Sequence, residues 1–234
     1  MRSFLTLALA AALASGCSAV TYDSEVKRTA ATPAKFSGEV AVYWLEEGDP
    51  NSGDGLFLYV PMRRAPLKFN WTDGEGRAHT TTPGVMYTDG GSIPRIAQGI
   101  SGYSPWGYAP AYMVHDWVFE ARQCLTDNDA TEDQKRDADI SFDDSVRIMA
   151  QAIFALDRAG RIQRKTSVPS VVTAAVGSPV SRQLWTGPGL CADRKKLNKL
   201  RKKYDALANG GDGSFASAAR AAGAQGKLVG LISF

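Results

Sequence analysis

Apolar and polar positions change rhythm several times along the chain. Phe4–Ala14 (FLTLALAAALA) is unbroken apolar sequence, whereas residues 18–35 (SAVTYDSEVKRTAATPAK) are polar and hold no sustained period. From Phe36 the pattern becomes strand-like. Short β-rich runs cover Val40–Leu45, Leu56–Val60 and Leu67–Trp71. They are separated by the loop EEGDPNSGDG and by Arg63-Arg64-Ala65-Pro66, which suits a hairpin. Thr72–Gly76 is a further turn, and a short strand near Val85–Thr88 ends at Asp89-Gly90-Gly91. The second half is helical. Pro110 suits a first-turn position ahead of AYMVHDWVFEAR, and Thr131 to Ala159 reads as one long amphipathic helix stopped by Gly160. Strands first and helices later predict an α+β fold, a small antiparallel sheet packed by two or three helices.

The same pattern divides the chain. Residues 1–16 are expected to be a signal peptide, 17–35 a tether, 36–160 the α+β core and 161–234 a loop followed by a basic C-terminal helical region. Within the last segment, 161–190 is rich in Pro, Gly, Ser and Thr and reads mostly as loop. Residues 192–207 (ADRKKLNKLRKKYDAL) form a predicted basic helix, and Leu228–Phe234 suits a short docking strand.

Composition adds exclusions. With 234 residues, 44% hydrophobic and 22% charged, the chain can build a core, which excludes a fully disordered protein. No run reaches the roughly 20 apolar residues of a membrane span, which excludes a polytopic membrane protein. Two histidines, His79 and His115, exclude a multi-histidine zinc cage. A net charge of +3 is too small to suggest nucleic acid as a partner, but its distribution is uneven. Arg194, Lys195, Lys196, Lys199, Arg201, Lys202 and Lys203 share one segment. Leu197, Leu200 and Tyr204 fall on one face of it, so this helix is expected to dock or to lie on a surface.

Arg2 and the apolar run have the dimensions of a secretory n-region and h-region. Ala14-Ser15-Gly16-Cys17 resembles the lipobox of bacterial lipoprotein signal peptides. That resemblance implies cleavage before Cys17 and acylation of it, including palmitate. Ser18 resembles the outer-membrane-sorted class, which implies a lipid-anchored protein facing the periplasm. In that setting the membrane is a partner through Cys17. Anionic lipid or lipopolysaccharide suits the basic helix, and nucleic acid does not. Cys124 and Cys191 are then an even pair in an oxidising compartment. They are read as a disulfide, with two separate buried thiols as the alternative.

Candidate chemistry centres on the two helices. His115 shares a face with Ala111, Tyr112, Val118 and Phe119, while Asp139 heads a stripe of Phe142, Val146, Met149, Ile153 and Leu156. Both groups are therefore expected inside. A lone buried carboxylate costs several kcal/mol or shifts its pKa, so packing of the helices predicts a His115–Asp139 hydrogen bond. Such a pair makes a general base or a purely structural bond, and periodicity leaves both open. Asp116 lies about a quarter-turn away and could hold a cation at the edge of the site. Its companion is the loop Asp89-Gly90-Gly91-Ser92-Ile93-Pro94-Arg95. The glycines permit close backbone approach to a ligand, and Asp89 is a hard oxygen donor suited to Ca²⁺. Ser92 is a candidate N-cap, or a nucleophile lacking the usual GxSxG elbow. Arg95 could bind an anion or hold Asp89, and a simple tight turn explains the loop equally well. His79, in a Thr-rich turn, reads as a solvated loop imidazole. Its order with His115-Asp116 and Asp139 also spells that of metal-dependent phosphohydrolases, at spacings short for that fold.

Asp89-Gly-Gly-Ser-Ile-Pro-Arg95, then His115-Asp116-Trp117, then Ala138-Asp139 with Phe142, together resemble a phage and bacterial family known only as a domain of unknown function. The resemblance covers roughly residues 55–160 and implies no activity. The order is also similar, more weakly, to small secreted bacterial phospholipases A2. That similarity implies His115 as base and Asp139 as its orienter, with Asp116, Asp89 and the Gly90/Gly91 backbone holding Ca²⁺ to stabilise an oxyanion. The chain departs from those enzymes in lacking their flanking disulfides and in its β-rich N-terminal half. Two expectations follow: a hydrolase of phospholipids or other esters, or a non-catalytic envelope lipoprotein that binds a partner or membrane.

Overall fold

The computed structural model describes residues 18–44, 57–88, 105–162, 167–191 and 227–234. Its elements in chain order are α1 (Tyr22–Thr29), β1 (Lys35–Ser37), β2 (Glu39–Trp44), β3 (Phe57–Pro61), β4 (Lys68–Thr72), β5 (Ala78–Thr81) and β6 (Met86–Thr88). Then come α2 (Pro105–Thr126), α3 (Glu132–Asp137), α4 (Phe142–Arg158), α5 (Val168–Val176), α6 (Pro179–Thr186) and β7 (Lys227–Ser233). The fold is α+β with small antiparallel sheets, as the order of strand-like and helical patterns predicts. One sheet has the order β1-β4-β5 and the other β6-β3-β2-β7. The expected docking strand is present as β7, which pairs antiparallel with β2 from Glu39↔Ser233 to Trp44↔Lys227.

The helices and sheets share one core. Trp117, Met113, Val114 and Val118 of α2 meet Val146, Met149 and Ile153 of α4, and Val40, Val42, Phe57 and Tyr59 of the larger sheet. The burial of β3 is continuous, not alternating, because both of its faces are covered. Ala41, Tyr43, Leu58 and Val60 are as buried as their neighbours that face the helices.

Four expectations are corrected. Residues 18–35 are not a loose tether. Thr21 caps α1 through a capping box with Ser24, and Tyr22, Glu25 and Thr29 of that helix are buried. A single helix over 131–159 does not form. Thr131 and Gln134 make a capping box that starts α3, and Ser141 accepts from the Asp144 amide to start α4 anew. Two N-caps ten residues apart compete with one continuous helix, and the chain turns between them. The stop at Gly160 does hold, with a left-handed φ of 65°. Pro110 lies inside α2, which begins at Pro105, and there it removes a backbone donor. Finally, 161–190 contains two helices. Ser178 caps α6, and a Pro sits in the first turn of each.

The disulfide between Cys124 and Cys191 is formed and joins the last turn of α2 to the segment after α6. Asp127 reinforces it by accepting from the Gly189 and Cys191 amides, at 2.6 and 2.8 Å. Those backbone hydrogen bonds hold its carboxyl below the usual range. Among the described residues no helix is long and apolar enough to cross a membrane.

Candidate functional site

Helix α2 carries the His-Asp-Trp sequence into the centre of the domain, and each of the three side chains meets a different environment. His115 is buried, 6% exposed. Its ring packs on Phe119 at 4.7 Å between centroids, and Phe119 meets Trp185 edge-on at 4.8 Å. Nδ1 of His115 lies 3.5 Å from Oδ1 of Asp116. Nε2 is buried and has no hydrogen-bond partner among the described residues. An unsatisfied buried ring nitrogen costs about 1–3 kcal/mol and calls for a reason.

Asp116 is partly exposed and faces the sheet. Burial first, and then the Asp116 carboxylate, push the Tyr59 phenol of β3 above its ordinary range. The Asp116 charge is thus felt both at the imidazole and at the strand. A carboxylate able to orient a ring nitrogen is present, but it is the neighbouring residue.

Trp117 is fully buried and donates from Nε1 to Oδ2 of Asp137 at 2.8 Å. Thr81 also hydrogen-bonds Asp137 through its side chain and accepts from Nε1 of Trp71 at 3.1 Å. The relay Trp71–Thr81–Asp137–Trp117 joins β4, β5, α3 and α2. Burial pushes the Asp137 carboxyl up from its ordinary range, against the downward pull of Trp117, Arg136 and Thr81. The close fit of this centre is visible at Gly84, where a Cβ would meet Cη2 of Trp117 at 2.9 Å.

The expected His115–Asp139 pair is not formed. Asp139 is exposed in the turn between α3 and α4, because the helix whose periodicity placed it inside begins only at Phe142. The buried carboxylate is Asp137, two residues earlier, and its partner is Trp117 instead of His115. Sequence reasoning missed it, although Thr131-x-x-Gln134 signals a helix start that would put Gln134 and Asp137 on one inner face.

Asp89, Gly90, Gly91, Ser92 and Arg95 lie outside the described residues, as do Cys17 and the basic segment 192–207. Among the described residues no group of three His, Cys, Asp or Glu side chains could hold a metal, so Asp116 stands as a single candidate oxygen ligand for the expected Ca²⁺. His79 is not in a loop. It lies on β5, its Nε2 is 2.9 Å from Oδ2 of Asp73, and its ring stacks on Trp71 at 4.8 Å. That pairing commits it to the β4–β5 hairpin, away from any phosphohydrolase arrangement with His115. Burial alone would raise the Asp73 carboxyl. The side chains of His79 and Arg77 and the amides of Arg77 and Glu75 outweigh it and hold Asp73 well below its ordinary range.

A second polar cluster sits between α1, α4 and the β4–β5 hairpin. Buried Glu25 accepts from Nη2 of Arg28 at 2.6 Å and from Nε2 of Gln151 at 3.1 Å, and it pairs with Arg147. Gln151 also exchanges hydrogen bonds with the Thr72 backbone in both directions. Arg28 donates to the carbonyls of Thr72 and Asp73. Elsewhere a cleft of about 370 Å³ is lined by Phe36, Phe234, Ala155, Lys35, Arg158 and Arg161, among others. It holds none of the expected site residues. No family model, curated protein or solved structure matches this chain.

Proposed function

We propose that the protein is a lipid-anchored component of the bacterial cell envelope, facing the periplasm, whose domain is a non-catalytic binding body held against the membrane. The observation that carries this reading is the position of Ser18. Its amide donates to the Gly177 carbonyl at 2.9 Å, so the residue directly after Cys17 is already held by the fold. An acyl anchor on Cys17 then leaves no slack between bilayer and domain. The basic segment 192–207 follows Cys191, which the disulfide fixes, and suits anionic lipid or lipopolysaccharide. The displaced Asp139 supports the non-catalytic form, since the dyad of the hydrolase reading is not assembled. The test is fractionation of cells together with the mass of the mature N-terminal peptide. Acylated Cys17 in the membrane fraction, and release of Cys17→Ala into the soluble periplasm, are expected. An unmodified Cys17 in soluble protein would overturn the proposal.

A second reading has one observation in its favour, the buried and unpartnered Nε2 of His115. In that reading His115 is a base oriented by Asp116, and Ca²⁺ is held by Asp116 with Asp89 and the Gly90/Gly91 backbone. Phospholipid or other ester hydrolysis would then be lost in His115→Gln and on addition of EDTA. Equal rates in all arms dispose of it.

A further inference from the structure

Residues 167–191 form a stretch unlike the rest of the molecule. In a chain that is 22% charged, this stretch has one charged side chain, Arg182. That one is half-exposed and paired across to α4. Its Nη2 donates to Oδ1 of Asp143 at 3.3 Å, and its guanidinium lies 4.3 Å from the centroid of the Phe142 ring. Among the side chains that this stretch leaves in water, beside Gln183 and Thr186, are four large apolar ones. Val171 is 44% exposed, Val180 67%, Leu184 47% and Leu190 40%. Only one other large apolar side chain among the described residues, Leu231, is comparably exposed. Single exposed apolar residues are ordinary, but four in one stretch with a single charge mark a contact surface.

The inward side of these helices is well seated, so their exposure is not loose packing. Val168, Val172 and Trp185 are buried, and Trp185 meets both Phe119 and Phe142 edge-on. Nε2 of Gln123 donates to the Leu184 carbonyl at 3.1 Å. Asp127 and the disulfide hold the chain beyond α6. The outward apolar side chains are therefore presented on a rigid support.

The occupant of this surface is indicated by where the N-terminal chain arrives. Ser18 is hydrogen-bonded to Gly177, one of the two residues between α5 and α6. A Cβ on Gly177 would lie 3.3 Å from that of Ser18, so the glycine lets the two segments meet. Consecutive Cα atoms are about 3.8 Å apart, so an anchor on Cys17 would be covalently joined to a residue that is itself bound at the α5–α6 junction. We propose that the exposed side of α5 and α6, centred on Val171, Val180 and Leu184, is the face that enters the lipid interface beneath which the Cys17 acyl chains are buried. The inference rests on the lipid-anchor reading of Cys17 and deepens it. The acyl chains set the position, and the apolar helical face sets the orientation. The one charged side chain, Arg182, is already paired with Asp143, so partial burial of this face in the headgroup–acyl boundary desolvates little charge and is favourable.

The test uses the full mature protein extracted from membranes and reconstituted into phosphatidylethanolamine–phosphatidylglycerol vesicles. Val180→Cys and Leu184→Cys are labelled with nitroxides, and Glu75→Cys, on the exposed β4–β5 turn, is the reference. Labelling is selective because Cys124 and Cys191 are bonded. The expected result is a several-fold higher ratio of oxygen to water-soluble nickel accessibility at 180 and 184 than at 75. Ratios equal to the reference in protein whose Cys17 is acylated overturn the membrane face and leave the anchor intact. Exclusion of both reagents at 180 and 184, with a doubled particle mass in detergent, assigns the face to a second copy and also overturns it. An unmodified Cys17 removes the anchor and overturns both readings together.

Discussion

Two buried polar regions of this molecule have opposite characters. Around Glu25 the carboxylate is paired several times over: Arg28, Arg147 and the Gln151 amide converge on it, and Gln151 and Arg28 in turn bind the Thr72 backbone. Around His115 one ring nitrogen faces Asp116 at 3.5 Å and the other faces no hydrogen-bonding group among the described residues. A closed network rigidifies a junction and is expensive to break. An open one contributes nothing to the fold through its orphaned atom, so its polar residue is maintained either for a ligand or at the expense of stability. The Glu25 region is therefore the architectural junction, and the His115 region is the place where a function, if chemical, would reside.

The largest effect that can break this contrast is at Glu25. Glu25→Ala removes the buried carboxylate from between the Arg28 and Arg147 guanidinium groups and leaves them only the Thr72 and Asp73 carbonyls and Asp144. A loss of about 3–5 kcal/mol in chemical denaturation is expected, as for one partner removed from a buried ion pair. A loss below 1 kcal/mol would make the network ornamental.

Next in size is the Trp117–Asp137 bond. Trp117→Phe keeps most of the ring and deletes the donor, at an expected cost of about 1–3 kcal/mol. This site also has a pH signature. The Asp137 carboxyl is raised in the folded state, so between its ordinary and raised values the folded chain binds more protons than the unfolded one. Stability therefore falls as pH rises through that window. Asp137→Asn should remove that slope from a denaturation series over mildly acidic pH. A slope unchanged in the variant would mean that the proton is bound elsewhere.

A smaller effect, of opposite sign, is expected at His115. His115→Leu removes an unsatisfied buried nitrogen and keeps an apolar filler, so stability should be unchanged or higher by about 1 kcal/mol. A loss of 2 kcal/mol or more, read in the same denaturation assay, would show that the imidazole is satisfied after all and belongs with Glu25. Smallest of all is Asp139→Asn, on the exposed turn, expected within about 0.5 kcal/mol of wild type. Its melting curve is the control for the displaced dyad.

Short β-rich runs revealed the strands and the class of fold, because β2, β3 and β4 are bounded by strong turn signals. The contents of the site were less legible. Wheel positions carry information only within one uninterrupted helix, and Ser141 restarts the register so that Asp139 falls outside. The inward carboxylate moved to Asp137, and the histidine lost its expected partner. The N-terminal helix was hidden for a different reason. Its buried face is built from Tyr22, Glu25 and Thr29, so no apolar period betrays it, and besides the local Arg28 the partners of Glu25 lie more than 100 positions away. The disulfide was readable by parity of cysteines once Cys17 is set apart, which is a statement about compartment more than about geometry.

The pairing of β7 with β2 spans a sequence separation of 194 residues between Glu39 and Ser233. Without β7, strand β2 is an unpaired edge with a row of open backbone donors and acceptors. A chain that emerges from its N-terminal end presents that edge throughout most of its delivery, and loop closure over such a distance is slow. Maturation of this protein is then a matter of timing: a sticky strand produced early must wait for a late one, which makes β2 the segment that an escorting chaperone would need to shield.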